Sequence, residues 1–99
     1  MLIVAGHVFV APSEVDAFVA DARSTLSIGR AAKGNLFFSF TLDDPAEGSV
    51  TVLERWNDRA SLDAYLARPE VVAIFTRWSG RMRNEVKLYD ASNERSPRD

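Results

Sequence analysis

In the stretch LIVAGHVFV, residues 2–10, both alternating sets of side chains are rich in apolar groups. Successive side chains of a strand point to opposite faces, so Leu2, Val4, Val8 and Val10 lie on one face, with Gly6 among them, and Ile3, Ala5, His7 and Phe9 on the other. A sheet with one wet side would instead alternate apolar and polar residues cleanly. Residues 35–42 (NLFFSFTL) set Leu36, Phe38, Phe40 and Leu42 on one face against Asn35, Phe37, Ser39 and Thr41 on the other. Helices can cover one side of such a sheet. The other side needs a second cover, and an exposed apolar patch of that size marks an interface. The expectation is a homodimer in which two sheets pack face to face, the alternative being a monomer with a moderately apolar open face.

The rest of the chain supplies the helical cover. After the first strand, Pro12 suits a helix start, and Ser13-x-x-Asp16 has the spacing of a capping box. Val15, Phe18, Val19, Ala22 and Leu26 then follow helical spacing, until Gly29 to Gly34 breaks the pattern. Residues 43–48 read as a turn between the second strand and a third at 49–56, which makes an antiparallel hairpin. Asn57 or Asp58 caps a short helix that ends at Arg68-Pro69. Pro69 opens another with Val71, Ile74, Phe75, Trp78 and Met82 on one side, and Gly80 weakens its end. Residues 84–90 close with a fourth strand. The order β-α-β-β-α-α-β predicts an α+β fold of ferredoxin-like type: a four-stranded antiparallel sheet with helices on one face. Residues 1–90 form the domain, and 91–99 (ASNERSPRD) have nothing to bury and read as a disordered tail.

Composition narrows the chemistry. The chain has 99 residues, room for one core. A net charge of −2 gives no reason to expect nucleic acid or an anionic membrane as partner. Arg77, Arg81, Arg83 and Lys87 read as a solvated face. There is no cysteine and one histidine, so the usual zinc, copper or haem ligands are missing and no metal site is expected. The apolar start MLIVAGHVFVAP is interrupted by Gly6-His7 and falls well short of the ~20 residues of a membrane helix, which leaves the cytoplasm as the expected location.

The segment SVTVLERWNDRASLDAYLARPEV, residues 49–71, places a carboxylate, an indole and a phenol where a strand hands over to a helix. Glu54 and Trp56 are two apart and share a face with Val50 and Val52, so Glu54 is an acid on an apolar row. A buried carboxylate must be paired or hydrogen-bonded, or its pKa rises. Glu54 reads as a structural or polar partner, and Trp56 equally as a core corner or a pocket wall.

This segment, preceded by KGNLFFSFTLDDPAEGSVTVL, resembles the antibiotic biosynthesis monooxygenase family over residues 1–90. The resemblance rests on strand order, Gly34-Asn35 at the start of the second strand, Glu54-x-Trp56 and the helix that follows. It implies a dimeric α+β barrel. Family members include cofactor-free oxygenases of quinols and polyketide phenols, and haem-degrading enzymes. Members like the quinol monooxygenases carry a histidine nine residues after the Trp and another after the proline; here those positions hold Tyr65 and Glu70. The haem degraders carry Asn, Trp and a haem-binding His where this chain has His7, Tyr65 and Phe75, so no haem and no other cofactor is expected.

Cofactor-free oxygenation makes the substrate the reductant. The protein then supplies an apolar cleft, a group to take the phenolic proton and donors for the developing oxyanion. His7 is the side chain whose unperturbed pKa lies nearest neutrality. The catalytic candidates are therefore His7 as proton acceptor, with Asn35 and Tyr65 as orienting groups or donors. Phe38, Phe40, Trp56, Phe75 and Trp78 are the candidate substrate walls, in a cleft between the sheet and the two later helices. The expected function is a cofactor-independent monooxygenase acting on a small aromatic phenol or quinol. The alternative is a non-catalytic dimer of the same fold that binds a hydrophobic metabolite or serves a stress response.

Overall fold

A computed structural model describes residues 1–99. Strand β1 is Leu2–Val10; a 3-10 turn, Pro12–Glu14, leads into α1, Val15–Arg23, and α2, Leu26–Ala31. Strands β2, Asn35–Asp44, and β3, Ser49–Trp56, form the hairpin; α3, Arg59–Leu66, α4, Pro69–Trp78, and β4, Met82–Asp90, complete the chain. The sheet order is β2-β3-β1-β4 with every neighbouring pair antiparallel, which is the ferredoxin-like α+β arrangement. The central strands β1 and β3 send Leu2, Val8, Val10, Val50 and Trp56 into one core with Phe18 of α1, Leu62 and Tyr65 of α3, and Val71 and Trp78 of α4. The helices thus lie on one face.

Local chemistry sets the element ends. Asp58 has extended backbone and accepts a hydrogen bond from the Ser61 N–H (2.8 Å), capping α3. Arg68 is extended because Pro69 follows, and α4 starts at that proline. Gly34 has φ of +82°, and a Cβ there would overlap the Ser61 side chain, so glycine is required where the chain enters β2. Its carbonyl accepts from the Asn57 N–H (2.8 Å), which ties the start of β2 to the end of β3.

Four expectations need correction. Ser13 forms no capping box: the 3-10 turn places Glu14, in helical geometry and without a side-chain bond, at the start of α1. The first helix pauses at Ser24–Thr25, where both hydroxyls donate to backbone carbonyls three residues back (2.7 Å each) and compete with the helix ladder. It then resumes through Gly29, whose missing side chain lets α2 lie against the Phe38 ring. Met82 belongs to β4, not α4. A register shift between Asn35 and Phe37 sets Asn35 opposite Trp56, on the face that simple alternation denies it.

The outer face carries Ile3, His7, Phe9, Phe37, Leu53 and Tyr89, of which Leu53 is 40 % and Tyr89 53 % exposed. Arg83 lies over the Phe9 ring (4.1 Å) and Arg55 over Phe37 (5.7 Å). Arg77 pairs with Asp21 of α1, Arg81 with Glu14 at the start of that helix, and Arg83 with Glu85. No helix is long and apolar enough to cross a membrane.

Candidate active site

Between the inner sheet face and helices α1, α3 and α4 lies a cavity of about 370 Å³. Seventeen of its 22 lining residues are hydrophobic, so it favours an apolar guest. Val4, Val8, Phe38 and Phe40 form the sheet side, and Leu62, Ile74 and Phe75 the helical side. Phe75 is 46 % exposed and stands at the rim.

The cavity has few polar groups. Glu54 is its one carboxylate, on central strand β3 between Val4 of β1 and Phe38 of β2. It is 9 % exposed, and its Oε1 accepts a hydrogen bond from the Trp56 indole Nε1–H (2.9 Å). Burial lifts its carboxyl above the usual carboxylate range, and the Trp56 bond opposes the lift without cancelling it. No second bond engages Oε2. Because no sealed polar atom lacks a partner, that oxygen opens onto the cavity. Tyr65 stands beside it, its ring 5.3 Å from Trp56 and 5.2 Å from Phe38, centroid to centroid. Burial pushes the Tyr65 phenol up to about 12; a hydrogen bond with Thr25 works against this, and the Glu54 charge adds to it. Tyr65 is therefore a proton donor, not a base, near neutrality. Arg59, paired with Asp63 (2.9 Å), and Asn84, whose Oδ1 accepts from Val86 N–H (2.8 Å), are further lining residues.

The three catalytic candidates do not meet within one subunit. His7 has odd parity on β1, so it faces away from the helices, with Nε2 3.4 Å from Asp43 on the outer side. Asn35 spends its amide on the carbonyls of Phe37 (3.1 Å) and Arg55 (3.4 Å). Tyr65 alone of the three lines the cavity. Of the expected walls, Phe38, Phe40 and Phe75 line it as well. Trp56 and Trp78 are sealed behind it. The first is fully buried; the second is held edge-on to Phe18 (5.1 Å), its indole donating to Asp21 (2.7 Å). Arg77 and then Trp78, by their hydrogen bonds, hold the Asp21 carboxyl below its usual range. Thr25 lines the cavity although sequence reasoning passed over it. It falls seven residues after Phe18, on the same helical stripe, which was the available signal. No group of three or more His, Cys, Asp or Glu side chains is placed to hold a metal ion.

Comparison with known proteins gives this geometry its setting. An uncharacterized protein of Synechocystis sp. (strain ATCC 27184 / PCC 6803 / Kazusa) is 29% identical over 68 residues, 69% of this chain and 46% of that protein. The chain thus spans about half the length of that curated relative. A crystal structure of an antibiotic biosynthesis monooxygenase superposes with a TM-score of 0.79 at 25% identity, covering 94% of this chain and all of that one. A candidate antibiotic biosynthesis monooxygenase from Deinococcus radiodurans shares the fold with a TM-score of 0.84 at 16% identity, over 97% of both chains. The sequence profile described as antibiotic biosynthesis monooxygenase matches residues 1–77, most of the chain, and the protein belongs to that family.

Proposed function

We propose that the protein is a cofactor-independent monooxygenase that oxidises a small aromatic phenol or quinol with O₂ in the cavity under α3 and α4. The observation that carries this reading is a hydrophobic cavity of about 370 Å³ whose polar groups include one free carboxylate oxygen and one protonated phenol. The reaction balances without an external reductant. A phenol and O₂ give a para-quinone and water, and a 1,4-quinol and O₂ give a hydroxyquinone and water, the substrate supplying all four electrons in each case. The protein has to exclude water, align the ring and stabilise charge. Tyr65 donates a hydrogen bond to the oxygen on which charge develops, and Phe38, Phe40 and Phe75 hold the ring.

The proposal includes a homodimer formed through the outer sheet face, which Leu53, Phe37 and Tyr89 leave open to solvent, and a cytoplasmic location. His7 and Asn35 then sit away from the cavity of their own subunit and serve positioning, with His7 at the face that meets the second copy. Anaerobic 1,4-naphthohydroquinone mixed with protein and air should consume O₂ faster than the same quinol alone. Tyr65→Phe should slow the catalysed part on the order of 10²-fold. No acceleration across a panel of phenols and quinols would remove the enzymatic reading. The second reading, a non-catalytic dimer that binds a hydrophobic metabolite, is favoured by one observation: no histidine lies in the cavity. A ligand recovered with the purified protein, without oxygen uptake, would decide for it.

A further inference from the structure

Glu54 is an acid that apolar neighbours on both flanking strands would ordinarily exclude. It is fixed from one side only: Trp56 holds Oε1, and Oε2 opens onto the cavity. Near it on the same wall is Tyr65, whose hydroxyl shares a hydrogen bond with Thr25 and can rotate its proton toward a ligand. The pair offers an acceptor and a donor at one end of a space otherwise walled by hydrocarbon. A ligand head that satisfies both must donate one hydrogen bond and accept another. A hydroxyl does this; an ammonium has no lone pair to accept with, and a carboxylate or ether has no proton to give. The other charged residues of the lining do not contest the position. Arg59 of α3 is occupied by Asp63, and Lys87 of β4 pairs with Ala5 on the outward parity.

We infer that Glu54 is the substrate's proton acceptor and that the cavity selects an uncharged phenol or quinol, its hydroxyl held between Glu54 Oε2 and the Tyr65 hydroxyl. This rests on the cavity being the substrate site, and it names a residue and a substrate class for it. In the step itself, the substrate O–H bond breaks and the proton forms a new O–H bond on Oε2. The electron pair remains on the substrate oxygen, which Tyr65 steadies. The phenolate then passes electrons to O₂, and a C–O bond forms at a ring carbon that carries hydrogen, para to the hydroxyl in a phenol and ortho to it in a 1,4-quinol. The resulting peroxide takes the proton back from Glu54. Loss of the ring C–H proton with cleavage of the O–O bond leaves the quinone and hydroxide, which that proton converts to water. The raised carboxyl of Glu54 agrees with this order, since a more basic carboxylate is the better proton acceptor.

The test is anaerobic titration of the full chain with 1-naphthol, 1-methoxynaphthalene and 1-naphthylmethylamine, followed by tryptophan fluorescence and calorimetry. The wild type should bind 1-naphthol at least tenfold more tightly than its methyl ether or the amine. Glu54→Gln keeps an oxygen for the Trp56 N–H but loses the free acceptor; it should bind naphthol about as weakly as the wild type binds the ether, with ether binding unchanged. Equal wild-type affinity for naphthol and ether overturns the inference, as does tighter binding of the amine, and neither comparison depends on how the variant folds. Glu54-dependent naphthol binding without oxygen uptake would sink the oxygenase reading alone. Oxygen uptake indifferent to Glu54→Gln would sink this inference alone.

Discussion

Glu54 has Val4 on one side and Phe38 on the other, and its single protein partner is an indole N–H two residues along the same strand. Burial raises its pKa above the ordinary 4.5, which means the folded state binds that proton more tightly than the unfolded chain does. Its contribution to stability is greatest below the unfolded pKa and is lost as pH rises through the folded one. Glu54→Gln should therefore match the wild type in acid and become the more stable of the two toward neutrality, each unit of displacement being worth about 1.4 kcal/mol. Urea denaturation at pH 4 and pH 7 checks this; a variant less stable than wild type at pH 7 contradicts it. The acid on an apolar row was legible in the sequence from strand parity alone, because Val50, Val52, Glu54 and Trp56 share one face. Which face met the helices was not. That depends on which alternating set of β1 and β3 the helices pack against, and it removed His7 from the cavity. Asn35 was misplaced for a different reason: the β-bulge beside it changes parity, and no residue type there announces a bulge.

The elements themselves were read from periodicity with few slips, since all four strands, the hairpin and both later helices follow local signals. The slips occurred where side chains compete with the backbone. Ser24 and Thr25 interrupt the first helix through hydroxyl bonds that hydrophobic spacing does not register, and Gly29 continues it because of a contact with Phe38 on a different element. The joint between β2, β3 and α3 depends on Gly34, whose positive φ and closeness to Ser61 leave no room for a side chain. Gly34→Ala should cost about 1–3 kcal/mol from backbone strain and the displaced α3 start. Thermal unfolding would show this as a clear loss of Tm. An unchanged Tm would mean that the turn has another accessible geometry.

For the molecule as a whole, the outer sheet face carries the proposed dimer. Leu53 sits on central strand β3 of that face, cross-strand from Ala5 and Ser39 and 40 % exposed. Leu53→Lys places a charge in the middle of the proposed interface and none in the cavity. Sedimentation at micromolar concentration should give twice 11.0 kDa for the wild type and 11.0 kDa for the variant. A wild type that already sediments as a single chain removes the pairing. The apolar character of both faces of β1 could be read before any coordinates; the arginines lying over Phe9 and Phe37 could not, because they come from β3 and β4. On the proposed reading, the central strands write two messages in alternate letters, one addressed to the guest and one to the neighbour. A point substitution edits one message and leaves the other intact. A single inserted residue would swap the recipients, turning His7 inward and Val8 outward. If that reading holds, the cavity face can change by substitution without touching the proposed interface, provided the lengths of β1 and β3 never vary by one.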